Sequence, residues 1–210
     1  EISNDRYRID NFAGQSQYKA LQEDLKQRLD KHLIQTRDTG FIPEGMCYVL
    51  AGDKTLYDYA QSDAYPIARV VAIANLASDR DARDVPALVA ACGDAHPVIR
   101  YWGATGLLIR QKDAAPAKDT LLALLYDTHA DVRIVAAEAL GYLGETSRAL
   151  GALAPIVQGG DDFEALAALN TLDYMYQAGH VPLATIQDMV RGVKYNEPTA
   201  RMQDYFLNLN

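Results

Sequence analysis

The stretch "HPVIRYWGATGLLIR" (96–110) sets His96, Arg100, Tyr101 and Trp102 within seven residues. An imidazole, a guanidinium and two aromatic rings at this density could build a general base, a metal site or a stacking platform. The same plan returns further on in "HADVRIVAAEALGYLG" (129–144), pairing Asp94 with Asp127, His96 with His129 and Arg100 with Arg133. An earlier copy, "DAYPIARVVAIANLA" (63–77), aligns Asp63 with Asp94, Pro66 with Pro97 and Arg69 with Arg100. A later one, "EALAALNTL" (164–172), keeps Ala168 and Leu172 but neither the Asp nor the Arg. A near-constant period with a degraded last unit marks a helical repeat array that ends in a cap. The conspicuous side chains therefore serve architecture first.

The remaining candidates for chemistry point the same way. His96 and His129 stand at equivalent places without a partner cluster, which suits turn or cap residues better than metal ligands or general bases. Trp102 falls on the best repeat's second helix, where core packing is expected over ligand stacking. Tyr48, Tyr57, Tyr59, Tyr65 and Tyr101 gather in or beside the first two hairpins. Such rings fit either an interface or an ordinary half-buried surface. Asp161–Asp162 beside Gly159–Gly160 lacks the alternating oxygen ligands of a calcium loop and reads as a helix N-cap. No Gly-rich phosphate loop, GxSxG or HExxH occurs. Cys47 and Cys92 lie in no metal-ligand spacing and are expected as unpaired thiols, with a disulfide between them the open alternative.

The elements that hold these residues follow from periodicity. Residues 1–13 read as a short strand or extended arm. Residues 16–35 form an amphipathic helix, with Tyr18, Leu21, Leu25, Leu29 and Leu33 on one face and Ser16 as N-cap. Gly40, Pro43 and Gly45 make 36–45 a loop. From about residue 53 the chain is helical hairpins, with first helices near 54–61, 85–91, 116–126, 147–157 and 183–193. The second helices lie near 66–77, 97–110, 131–143, 162–178 and 199–208. Pro66 and Pro97 stand in first turns, where a missing N–H costs nothing. Small residues (Ala72, Gly103, Ala136, Ala168) let helices approach, and Leu76, Leu107, Leu140 and Leu172 fill the shared core. No pair buries its apolar face alone, so the pairs must stack.

Composition narrows the function classes. The chain has 210 residues, 20 basic against 28 acidic, and a net charge of −8. This balance opposes the phosphate neutralisation that nucleic-acid binding needs. No run is long enough to span a bilayer and no helix carries a basic face, so no membrane role is expected. No signal peptide is visible, and the chain opens with Glu1.

The repeat pattern, across about residues 53–180, resembles HEAT repeats. In the three copies that keep them, an acidic residue precedes the second helix and an arginine lies one turn into it. Asp63, Arg69, Asp94, Arg100, Asp127 and Arg133 are expected to form a structural ladder between successive repeats, with the acids also favoured by the helix dipole.

Residues 1–80 carry a second resemblance. "NDRYRIDNFAGQSQYKALQEDLKQRLDKHLIQTRDTGFIPEG" resembles the C-terminal end of a sulfatase, through Asp5, Tyr7, Asn11, Ala13, Thr36, Asp38, Gly40, Phe41, Pro43 and Glu44. The segment 56–78 is similar to the continuation of the chain in bacterial sulfatases with a HEAT-like tail. Arg6, Arg8 and Phe12 stand where that family has Pro, Glu and Leu. The resemblance implies a parent hydrolase of sulfuric esters that uses formylglycine and a divalent metal, calcium, in a periplasmic or secreted setting. The nucleophile segment C/S-x-P-S/A-x-R is not in this chain: "YVL" follows Cys47 and "GDA" follows Cys92. On the resemblance alone, Arg37, Asp38 and Glu44 are candidates for substrate contact, against the alternative that they hold a Gly/Pro loop.

The expected fold is all-α, an α-α superhelix of HEAT-like hairpins preceded by an extended arm and an amphipathic helix. The expected domains are 1–45, the end of a sulfatase C-terminal subdomain, and 46–210, the repeats. The expected function is a non-catalytic C-terminal region of a sulfatase-like enzyme, shaping substrate access or oligomerisation, with the catalytic domain as partner. No cofactor or metal is expected in this chain. The rival is a freestanding HEAT-repeat scaffold that binds another protein along its concave face.

Overall fold

A computed structural model describes residues 11–197 and 199–209. The chain divides into two compact units, Glu1–Asp38 and Thr39–Asn210. The expected arm lies largely on residues 1–10, outside the described residues.

In the first unit a single 3-10 turn, Ser16–Tyr18, leads into α1, Lys19–Thr36. Ser16 opens that turn rather than capping the α-helix. The helix stops at Arg37, whose left-handed backbone (φ 52°, ψ 51°) turns its own N–H back to the Ile34 carbonyl. The Asp38 N–H reaches the Leu33 carbonyl at 3.1 Å, so the last orphan acceptors are satisfied as at many helix ends. Leu21, Leu25 and Leu29 are each more than half exposed, and α1 has no buried residue.

The second unit begins with a helix where composition predicts only a loop. Pro43 stands just before α2, Glu44–Ala51. The breakers Gly40 and Pro43 end where this helix starts, and Gly45 falls inside its first turn. Ile42, Gly45 and Met46 are buried in this unit, so residues 39–45 pack with the repeats although their composition is that of a connector.

The hairpins follow as α3 (Leu56–Gln61) with α4 (Ile67–Ser78), and α5 (Val85–Cys92) with α6 (Pro97–Arg110). Then come α7 (Lys118–Leu124) with α8 (Ala130–Tyr142), α9 (Thr146–Gly159) with α10 (Asp162–Gln177), and α11 (Leu183–Val190) with α12 (Thr199–Asn208). Among the described residues there is no strand. The second helices lie side by side, α4 on α6, α6 on α8, α8 on α10 and α10 on α12. This is an all-helical domain with repeating hairpin contacts, a HEAT-like α-α solenoid.

The third hairpin departs from the others. Spacing predicts its first helix over 116–126, but Gln111–Ala117 is a 3-10 stretch with Pro116 inside it, which leaves only Lys118–Leu124 α-helical. Proline has no N–H to donate and disfavours α geometry in the residue before it, so the tighter turn takes the load.

Packing follows the small-residue pattern with one exception. A Cβ on Gly103 would lie 2.9 Å from the Cys92 backbone N, so α6 rides directly on α5. Ala136 and Ala168 are likewise fully buried, whereas Ala72 in the first repeat is exposed. Leu107, Leu140 and Leu172 are fully buried, and Leu76 only half. At the far end Phe206, Ile186 and Val190 close the core. That hairpin is held by side chain to backbone bonds: Tyr195 Oη–H donates to Val157 O at 2.7 Å, and Gln203 donates to Val190 O and Val193 O.

Candidate partner-binding face

The residues singled out by the repeat occupy a seam along the turns. Arg69 pairs with Asp94 of the next repeat. Arg100 grips Asp127 with two bonds of 2.6 and 2.9 Å, and its remaining nitrogen donates to the Asp94 and Ala95 carbonyls. Each aspartate also accepts the N–H two residues on, Asp94 from His96 at 2.8 Å and Asp127 from His129 at 2.9 Å. Burial pushes the Asp127 carboxyl up, but the Arg100 and His129 hydrogen bonds and charges hold it below its ordinary value. The ladder is open at both ends: Asp63 and Arg133 form no ion pair among the described residues, though Arg133 donates to Asp127 O at 2.7 Å.

His96 and His129 are the N-cap residues of α6 and α8. His96 shares a 2.9 Å hydrogen bond with the Tyr59 hydroxyl, and burial pushes its pKa down. Tyr59 and Tyr65 are buried around it, while Tyr48 and Tyr57 are exposed. Asp161 caps α10, accepting the Phe163 and Glu164 N–H groups at 2.9 Å. Both cysteines are free; burial pushes Cys92 up to about 12 and also raises Cys47. Arg37 and Asp38 end the first unit, and Glu44 is an exposed first-turn residue of α2 in the second. Among the described residues no group of three or more His, Cys, Asp or Glu is placed to hold a metal ion. None of the described helices is long and apolar enough to cross a membrane.

A different set of side chains builds a concavity across the second helices. Residues three and four apart on a helix share a face, and three neighbouring helices each supply such a stripe. Tyr101 and Thr105 come from α6, Asp131 and Glu138 from α8, and Asn170, Thr171 and Tyr174 from α10; together they line a groove of about 250 Å³. The Thr171 hydroxyl donates to Glu138 at 3.2 Å. Burial raises the Glu138 carboxyl in spite of that bond. Burial also pushes Asp131 up to about 6, helped by the negative charges of Glu164 and Asp161 and only partly offset by Arg133. Of the charged side chains acting on Asp131, Glu164 and Asp161 are acidic and Arg133 is basic, while Glu138 is raised by burial alone.

The chain's own α2 sits beside this groove, packed on α8 and α10. The Trp102 indole N–H donates to the Phe41 carbonyl at 2.9 Å, and the two rings meet edge to face at 5.9 Å. A Cβ at Gly45 would stand 2.7 Å from an Asp131 carboxylate oxygen, so any larger residue there would have to displace that carboxylate. Trp102 therefore packs, with its polar edge spent on the segment before α2. Tyr48 of α2 lies 5.9 Å from Phe163, ring to ring.

No motif singles out Asp131, Glu138, Thr171 or Tyr174 in the sequence. Their only signal is the stripe itself, polar residues at helical spacing on three aligned second helices. Arg110 is equally inconspicuous there, yet its guanidinium is buried against the Leu76, Ala77, Asp81 and Gly106 carbonyls.

Compared with known families, residues 54–141 match HEAT repeats. The matched stretch runs from just before α3 nearly to the end of α8, so it contains the whole paired part of the ladder. No curated protein matches the chain.

Proposed function

We propose that this chain is a non-catalytic helical-repeat scaffold that binds another protein across the face of its second helices, taking basic side chains into the groove over α6, α8 and α10. What supports the reading is the groove's chemistry. Two carboxylates, the buried Asp131 and the half-buried Glu138, lie among the hydroxyls of Thr105 and Thr171 and the rings of Tyr101 and Tyr174. Lysine or arginine from a partner would give those carboxylates a counter-charge, and tyrosine suits such an interface by offering a ring and a hydroxyl together. The net charge of −8 favours the approach of a basic segment over a long range at low salt.

An array of Lys/Arg-containing and matched Asp/Glu-containing peptides tests this on the full chain. Basic peptides should be retained, with retention lost in Glu138→Gln and Tyr174→Ala and weakened by added salt. Retention of basic peptides that is unchanged in both Glu138→Gln and Tyr174→Ala would end the reading.

A second reading draws on α1. Its three exposed leucines form an apolar stripe of the kind that a covering surface normally removes from water. In that reading the chain is the C-terminal region of a sulfatase-like hydrolase, whose catalytic domain covers the stripe and carries the formylglycine and calcium in a periplasmic or secreted enzyme. Arg37, Asp38 and Glu44 would then border its substrate pocket. Reading the gene upstream of Glu1 decides: a C/S-x-P-S/A-x-R segment, with formylglycine detected by mass spectrometry of the full product, supports it. An unrelated upstream domain removes it.

A further inference from the structure

The ladder stops at Arg133. The register that aligns Ala136 with Ala168 and Leu140 with Leu172 puts Gly159, the last residue of α9, where the next ladder acid would stand. Glycine has no side chain to answer Arg133. Arg133 therefore keeps the backbone half of the ladder, its bond to Asp127 O, and lacks the half that reaches forward. Glu164 and Asp131 feel its charge through space, but neither closes an ion pair with it.

Beside Arg133 lies a cavity of about 660 Å³ between α7 and α9. Leu122, Leu125 and Pro155 give it apolar walls, and Tyr126, 89% exposed, stands at its rim. Gly151 lowers its floor, since a Cβ there would meet nothing within 4 Å. The second cation on its lining is Arg148, whose contact with Glu145 is long at 3.7 Å. Glu145 is already engaged by Lys118 at 2.9 Å, so Arg148 is only loosely held. The shortened α7 that follows the Pro116 stretch forms one side of this gap.

We propose that this cavity is a docking site for a partner protein segment that carries an aspartate or glutamate beside a bulky apolar residue. The carboxylate takes the place of the missing ladder acid on Arg133 and is shared with Arg148. The apolar neighbour fills the space against Leu122, Leu125 and Pro155. Arginine–carboxylate pairing is directional and charge-assisted, and a mostly apolar wall with a few placed polar groups is the ordinary make-up of a binding pocket. The site is separate from the second-helix groove and selects the opposite charge, so the two readings stand or fall independently.

The test follows the arginine side-chain N–H resonances of the full chain by NMR during titration. The probe is an N-acetylated, C-amidated pentapeptide with a central Leu-Glu-Phe, set against its Leu-Gln-Phe counterpart and against free 3-phenylpropionate. The Glu peptide should move the Arg133 and Arg148 signals saturably and bind about tenfold or more tightly than the Gln peptide. Arg148→Gln, a rim change that leaves the backbone anchor of Arg133 intact, should weaken it by about the same factor, and Arg133→Gln should abolish it. Equal binding of the Glu and Gln peptides, or unchanged binding by Arg148→Gln, overturns the proposal. Phenylpropionate binding as tightly as the peptide also overturns it, because the site would then belong to a small free acid.

Discussion

Arg110 brings a full charge into a place with almost no water, its side chain only 1% exposed. It survives there because every direction offers an acceptor: four backbone carbonyls and the carboxylates of Asp79 at 3.0 Å and Asp84 at 3.5 Å. Those carbonyls include the free end of α4, so the residue clamps the first hairpin to the second. Arg110→Met takes this donor from four backbone carbonyls while Asp79 and Asp84 stay in reach of water, and should cost about 2–3 kcal/mol, read as a fall of several degrees in Tm. Arg110→Lys keeps the charge but not the planar fork, and should recover less than half of that loss.

Asp131 offers a second test, with a sign that can be worked out. Its folded pKa of about 6 lies above the value of about 3.9 for an unfolded aspartate. The folded state holds the proton more tightly, so this group's contribution to stability is greatest below pH 4 and declines as pH rises through 6. Asp131→Asn cannot ionise. The variant should therefore gain on the native protein by as much as about 3 kcal/mol between pH 4 and pH 7.5, measured by urea unfolding at each pH. A constant difference across that window would show that Asp131 titrates normally.

At the scale of elements, the ladder rungs look alike in sequence and differ in worth. The Arg100 and Asp127 side chains are 14% and 6% exposed, whereas Arg69 is 60% exposed. Arg100→Ala strands a nearly buried carboxylate and should cost about 3–5 kcal/mol. Arg69→Ala removes a pair that water already screens and should cost less than about 1 kcal/mol. Equal losses in chemical denaturation would mean that burial does not set the strength of a rung.

Over the whole molecule, the two units divide the stability unequally. No residue of α1 is buried, and among the described residues the buried hydrophobics, from Ile42 to Phe206, all belong to the second unit. Residues 39–210 alone should unfold cooperatively with a Tm within a few degrees of the full chain, measured by calorimetry. A peptide of residues 16–38 should be only marginally helical by circular dichroism, as isolated helices of this length are. A large drop in Tm on removing the first unit would show that α1 contributes packing to the repeats.

The repeat architecture was legible because it is written locally. A hairpin declares itself through apolar spacing, a proline in a first turn and a polar turn between helices, and these signals recur from one repeat to the next. Aspartate and arginine return at fixed places in the sequence, and the rungs that form, Arg69 with Asp94 and Arg100 with Asp127, each join one repeat to the next. α2 was not legible, since a short helix opening with Glu-Gly after Pro43 carries too little periodicity, and what holds it is a neighbour far along the chain. Burial of Asp131 depends on that same packing, because α2 comes against it at Gly45. The groove and the cavity beside Arg133 arise between helices whose spacing no single helix specifies. Local pattern determined which hairpins form, how they repeat and where the ladder acid is missing; only their packing decided which carboxylates leave water and which side chains line a shared cavity.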